Sequence, residues 1–180
     1  MPFDPTLPVA NSPNSSAEMR AQLNALKALI DAQGSVATGR LGSDWTSGTS
    51  SFSDVPGLSF SVASGENWTA EIVLHAVSSS AGQGFKFRVA GPGAGSVLIA
   101  ISGTGTSTST SLDCEVQTAF SVASPAKTFC SGSNITGVIR IHVVITNASA
   151  GTVQLQANNS GGSNTVTLKA NSDLVARRTI

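Results

Sequence analysis

The chain has 180 residues, enough for one sizeable core, with 10 basic and 10 acidic side chains and a formal net charge of zero. Only 11% of the residues are charged and 40% are hydrophobic, against roughly 25% charged in an average globular protein. A neutral chain without a basic cluster excludes nucleic acid as the expected partner, and no stretch reaches the roughly 20 apolar residues of a membrane helix, so no membrane insertion is expected.

Residues 1–14, MPFDPTLPVANSPN, contain Pro2, Pro5, Pro8 and Pro13. Proline fixes φ and removes a donor, so this segment is predicted to be an extended arm that cannot join a sheet interior. Phe3, Leu7 and Val9 are apolar knobs along it and are the expected docking residues of the arm. Residues 1–10 lack both the basic start and the apolar run of an export signal.

Residues 15–34 carry the strong helix signal of the chain. Ser15 and Glu18 fit a capping box, good helix formers follow, and Gly34 falls where a left-handed C-terminal cap belongs. Met19, Leu23, Leu26 and Ile30 recur at spacings of four, three and four, a narrow seam of the a/d kind. Isolated helices of this length are marginal in water, so the seam needs a partner surface. It is read as an oligomerising helix that pairs with copies of itself, with a trimer as the expected state. Packing on the chain's own β-domain is the alternative.

Residues 35–51 are rich in Gly, Ser and Thr and are expected to form a linker. Period-two patterns then take over through residues 52–180. Strands are predicted at 58–62, 68–77, 85–90, 96–101, 112–120, 138–146, 152–157, 165–170 and 173–176. Ile139, Ile141, Val143 and Ile145 should face one side and Arg140 and His142 the other; Phe85, Phe87 and Val89 alternate with Lys86 and Arg88 in the same way. The pentapeptide Phe60–Ser64 reappears as Phe120–Ser124, and the elements after each copy follow in matching order. This pattern suggests two similar four-strand units face to face. The expected fold is therefore mainly β, an antiparallel β-sandwich of the jelly-roll type, preceded by the arm and one N-terminal α-helix.

No catalytic motif stands out, and the chain is not expected to be an enzyme. His75 and His142 occupy polar positions of strands and would form a pair only if those strands are neighbours. Glu66 and Glu71 flank Trp68, as the carboxylates of a glycosidase would if they faced a common cleft, but few aromatics and no Tyr are present to stack a sugar. Gly91–Gly95 is glycine-rich, yet no helix follows it to make a phosphate cradle. No metal site or cofactor is expected, since two histidines and two cysteines without a recurring spacing do not assemble four ligands. Cys114 and Cys130 are read as two separate buried thiols, with a disulfide as the alternative. Arg177 and Arg178 form the one adjacent basic pair, read as a solvated tail or a local ion pair.

The run Met1-Pro-Phe-Asp-Pro-Thr-Leu-Pro8, then Asn11-Ser-Pro13 and the helix from Ser16-Ala-Glu-Met to Ile30-Asp31, resembles the opening of small bacteriophage structural proteins. In those, such a leader and helix precede a fibre shaft or a β-sandwich tip. The closing segment Leu174-Val-Ala-Arg-Arg-Thr-Ile180 is similar to the last strand of jelly-roll tips on phage fibres and capsid decoration proteins. The resemblance implies a virion component, commonly trimeric, made in a bacterial cytoplasm and anchored by its N-terminus to other virion proteins of the tail or capsid. A tail fibre or tip appendage that touches a host surface glycan or protein is the leading expectation. A capsid decoration protein is the second, and a surface-polysaccharide hydrolase the third.

Overall fold

In the computed structural model the described residues are 16–32, 34–79, 83–104, 112–122, 125, 127–132, 135–161 and 164–179. They fall into two units. The first, up to Ser35, holds the helix α1 (Ser16–Ala32); the second, Val36–Thr179, holds the β-structure.

The helix ends where the sequence predicts. Gly34 has φ of 75°, the left-handed conformation of a C-terminal cap. Glu18 lies in the first turn, where a carboxylate complements the helix dipole. Ser15 and the whole arm, with Phe3, Leu7 and Val9, lie outside the described residues.

The β-unit contains β1 (Val36–Arg40), β2 (Trp45–Ser47), β3 (Ser53–Val62), β4 (Asn67–Ser78), β5 (Phe85–Ala90), β6 (Ala94–Thr104), β7 (Leu112–Gln117), β8 (Ile135–Ala148), β9 (Gly151–Asn159), β10 (Val166–Leu168) and β11 (Asp173–Thr179). The large sheet runs β1-β11-β4-β8-β6-β7, with β10 pairing β4 and β2; the small sheet runs β3-β9-β5. All pairs are antiparallel.

The order in which the chain visits the sheets defines the architecture. From β3 it crosses to β4, back to β5, over to β6 and β7, then to Phe129, β8 and finally β9. Phe129 bridges Phe85 at the free edge of β5, exchanging two backbone hydrogen bonds of 2.8 Å, so it holds the place of a fourth strand in the small sheet. The large sheet therefore centres on β4-β8-β6-β7, and the small sheet reads β3-β9-β5 plus the Phe129 bridge. This alternation is a jelly roll, and the expected fold class holds.

Alternation along the strands explains why the sheets stack. Ile139, Ile141, Val143 and Ile145 of β8 are buried, as are Ile72 and Leu74 of β4 and Phe85, Phe87 and Val89 of β5. Phe85 stacks on Phe87 at 5.4 Å between centroids, Phe87 meets Phe129 at 6.1 Å, and Phe60 meets Trp68 at 5.3 Å. Such aromatic pairs add roughly 0.5–1.5 kcal/mol beyond their buried area.

Two expectations are corrected. The stretch 35–51 is not a linker: β1 pairs β11 from Val36↔Arg177 to Arg40↔Asp173, and β2 pairs β10. Buried Leu41 anchors the turn between them, donating its N–H to Ser172 O at 2.8 Å. Asp44 adds a second anchor, accepting from the Ala170 N–H at 2.8 Å and from the Lys169 ammonium. Nor do the halves of the chain form two similar units. Phe60 is buried in β3, whereas Phe120 lies in a turn, and each sheet mixes strands from both halves. A jelly roll folds the chain double, so distant strands pair and local similarity does not become a structural unit.

The two sheets meet at a close backbone contact. The register of β3 on β9 shifts between Asp54 and Ser59, a bulge that contains Pro56 and Gly57. Gln154 Nε2 donates to the Val55 carbonyl (2.9 Å) and the Leu58 carbonyl (3.3 Å), satisfying acceptors that the bulge frees. Gly57 has φ of +74°, and a Cβ there would lie 2.4 Å from the Arg40 carbonyl oxygen. A methyl group at Gly57 thus adds a left-handed penalty of roughly 1–2 kcal/mol to an overlap cost of roughly 1–3 kcal/mol. Gly57→Ala is expected to lower the unfolding free energy by about 2–5 kcal/mol in a denaturant titration. Gly42→Ala, where an added Cβ meets nothing within 4 Å, should leave stability unchanged or slightly raised.

Candidate functional site

The seam residues of α1 share one stripe. At 3.6 residues per turn, Met19, Leu23, Leu26 and Ile30 fall within about 60° of arc. All four are exposed in the single chain, from 42% for Leu26 to 64% for Leu23, and Leu29 widens the stripe. Burying a side chain of this kind contributes roughly 1.5–3 kcal/mol. The stripe is therefore a sizeable unsatisfied apolar surface on an element too short to be stable alone.

In the β-unit, the residues with chemical potential are dispersed. β4 and β8 are neighbours, but His142 sits opposite Glu71 and His75 opposite Val138. The two histidines are four residues apart along the ladder, roughly 13 Å at 3.3 Å per residue, so they do not form a pair. Glu71 faces out from the large sheet and pairs with Arg140 at 3.1 Å, both half exposed or more; such a surface pair contributes ~1 kcal/mol or less.

Glu66 is a structural clasp. Its Oε2 accepts the Ala63 N–H and the Trp68 indole N–H, each at 2.8 Å, and its Oε1 accepts from Arg178 Nη1 at 3.0 Å. One carboxylate thus ties the β3–β4 turn, the buried Trp68 and the last strand together. Arg178 is not a solvated tail residue, and the local ion-pair alternative is the one realised. Glu66 and Glu71 do not face each other, since one closes the turn and the other stands on the outer sheet face.

Both thiols are free, and the expectation that both are buried is half right. Cys130 is buried, but Cys114 is exposed on β7. Cys130 has φ of 50° and donates its N–H to Thr104 O at 2.8 Å, next to the Phe129 bridge to β5. Its thiol sits in a slot over Gly137, where a Cβ would lie 2.7 Å from Sγ. Burial pushes its pKa up to about 12. Cys114 points outward because its register opposite Ser102 of β6 sets it on the outer face of the large sheet, while Glu115 and Gln117 lie opposite buried Ile101 and Ile99, a placement set by the pairing and invisible in the local sequence. Among the described residues, no group of three or more His, Cys, Asp or Glu side chains is placed to hold a metal ion. No described helix is long and apolar enough to cross a membrane.

The two outer faces of the sandwich differ, which the sequence reading missed. The small sheet presents polar side chains tied to one another. Arg88 Nε donates to Gln156 Oε1 at 2.7 Å, Gln156 Nε2 donates to Asp54 Oδ1 at 2.7 Å, and the Arg88 guanidinium lies 4.3 Å from the centre of the Phe52 ring. The large sheet instead exposes Val36, Leu98, Leu112, Val116 and Val138. Period-two alternation identifies the residues that point away from the core but not which outward face stays in water.

No protein-family model matches the chain, and no curated protein matches it. Among solved structures, the chain is similar to one titled as the structure of infectious bursal disease virus, Gx strain. The identity is 10% and the TM-score 0.25, over 81% of this chain and 40% of that one, so this chain spans two fifths of that chain's length. A superposition at that score carries no inference, and the jelly-roll topology stands on the hydrogen-bonded register alone.

The Glu66 clasp generates a pH prediction. Its carboxyl is held below the ordinary value, first by the Ala63 N–H, then by the Trp68 indole and by Arg178. A carboxyl with a depressed folded pKa contributes stability that is complete above its unfolded value, and that is lost as pH falls through the folded value. Glu66→Gln is expected to lose about 1.5–3 kcal/mol at pH 7. It should also show a shallower loss of stability than the wild type as pH falls below 4.5, the unperturbed value, measured by chemical denaturation across pH.

Proposed function

We propose that this chain is a non-enzymatic structural component of a bacteriophage virion, a short tail-fibre or tip appendage. The observation that carries the reading is the exposed seam Met19, Leu23, Leu26 and Ile30 on a short helix placed ahead of a jelly roll. In this reading the seam pairs with copies of itself and sets the copy number at three. The arm, through Phe3, Leu7 and Val9, docks to other virion proteins. The β-sandwich is displayed, where its loops meet a host surface glycan or protein.

The resemblance of the N-terminal leader to phage structural proteins supports placing the chain in a virion. The low charge content and zero net charge support close self-packing, because copies of a neutral chain do not repel one another. A structural role is also supported by the commitment of Glu66 to three fold-holding hydrogen bonds, which withdraws it from general acid or base work.

Two measurements test the reading. Light scattering of the full chain should give three chain masses. Leu23→Asp together with Leu26→Asp should give one chain mass with an unchanged β-type circular dichroism spectrum, and a wild-type monomer would sink the seam. Immunogold labelling of intact particles should decorate the tail. Gold on the head would replace the appendage reading with capsid decoration, and unlabelled particles would end the virion assignment.

A further inference from the structure

We propose that the hollow between Phe52, Lys86, Arg88 and Asn158, on the outer face of the small sheet, is a binding site for a sugar that carries an anionic group. The proposal deepens the display reading above: it rests on the β-sandwich meeting a surface glycan, and it names the face that does so and the chemistry it takes.

The register builds the site. Lys86 lies opposite Asn158 and Arg88 opposite Gln156 across β5 and β9, and Asp54 of β3 lies opposite Gln156 on the other side. Lys86 and Arg88 are two residues apart on one strand, so they share its outer face at a spacing of roughly 6.6 Å. Both are half-buried, and among the described residues neither forms an ion pair. The three strands carry one carboxylate, Asp54, and Gln156 Nε2 holds it at 2.7 Å. Two neighbouring cations that are partly desolvated repel each other, and an oxyanion between them relieves that repulsion.

Arg88 is set in advance for such a group. Its Nε donates to Gln156 Oε1 at 2.7 Å, and its guanidinium lies 4.3 Å from the centre of the Phe52 ring. These contacts hold the fork, while its two Nη groups have no hydrogen-bond partner among the described residues. A held fork with its Nη pair free takes a carboxylate, sulfate or phosphate through two parallel hydrogen bonds.

The surroundings fit a sugar better than a bare ion. The hollow measures about 420 Å³, within the roughly 300–1,000 Å³ of small-molecule sites. Apart from the two cations its lining is uncharged, and the Ser51 and Ser160 hydroxyls belong to it. Asn158, 5% exposed, donates from Nδ2 to the Ser50 carbonyl at 2.6 Å, while its Oδ1 has no hydrogen-bond partner among the described residues. A buried acceptor without a donor calls for a partner from outside the chain. A sugar hydroxyl supplies that donor; a bare carboxylate or sulfate does not.

The test presents the full chain to immobilised oligosaccharides bearing uronate, sialate, sulfate or phosphate groups, each beside a counterpart without the anionic group. Calorimetry then gives the solution affinity for each oligosaccharide bound, with light scattering of the same sample. The wild type should bind an acidic oligosaccharide at least tenfold more tightly than its neutral counterpart, and the arm that binds separates a carboxylate from an ester. Lys86→Gln and Arg88→Gln should each lower that affinity at least tenfold with an unchanged β-type circular dichroism spectrum. Arg140→Gln, on the large sheet, should leave it unaltered. Binding to none of the acidic sugars, equal binding of the neutral counterparts, undiminished affinity in Lys86→Gln, or binding of inorganic phosphate alone overturns the site. A trimer that binds no acidic sugar overturns the site and leaves the seam reading intact. A monomer that binds as expected sustains the site and overturns the seam.

Discussion

The antiparallel ladder between β4 and β8 is the constraint on which the rest of the β-domain depends. It joins residues 67 to 78 to residues 135 to 148 in an unbroken register from Trp68↔Ile145 to Ser78↔Ile135. That register sets Ile141 beside Ile72 and Ile139 beside Leu74 on the buried face, with His142 and Glu71 together on the outer one. A slip of one residue would turn every one of these side chains to the wrong face. With β4 and β8 paired, β11 has an edge to add to on one side and β6 on the other, and the inner face becomes a floor for Phe85, Phe87 and Phe129. The pairing is long-range, so loop-closure entropy must be met before the ladder forms, and a jelly roll of this kind folds slowly relative to a helical bundle.

Closure of the sandwich is handled at two places by backbone contact. On one side, Gly39 and Gly57 bring β1 and the β3 bulge into direct contact. On the other, Phe129 and Cys130 hold both sheets, Phe129 through β5 and Cys130 through Thr104. Both places use residues that alternation rules do not highlight, two glycines and a cysteine with positive φ. Both depend on strands far apart in sequence arriving at the same point.

The apolar surface left over is sorted. In the helix unit it forms a stripe; in the β-unit it gathers on one outer face while the other is polar and cross-linked. Scattered exposed hydrophobic residues need no explanation, but sorted ones mark surfaces that meet a partner. The stripe on α1 is the surface on which the proposed self-pairing rests.

The helix and its cap, the alternation of β5 and β8, and the mainly β class are legible in the sequence. Each of these is written in local periodicity or in a residue with one conformational use, such as Gly34. That residues 36–40 and 45–47 are strands follows from long-range pairing, because their short Gly- and Thr-containing runs become β-structure through partners at 173–177 and 166–168. The tertiary structure alone showed that Glu66 is a clasp, since its partner Arg178 is far away in the chain, and that Cys114 is exposed, since its pairing opposite Ser102 sets it on the outer sheet face. It also decided which outer face is apolar. Period two tells a residue to point away from the core, but whether that direction leads to water or to another surface depends on strands that the local sequence does not contain.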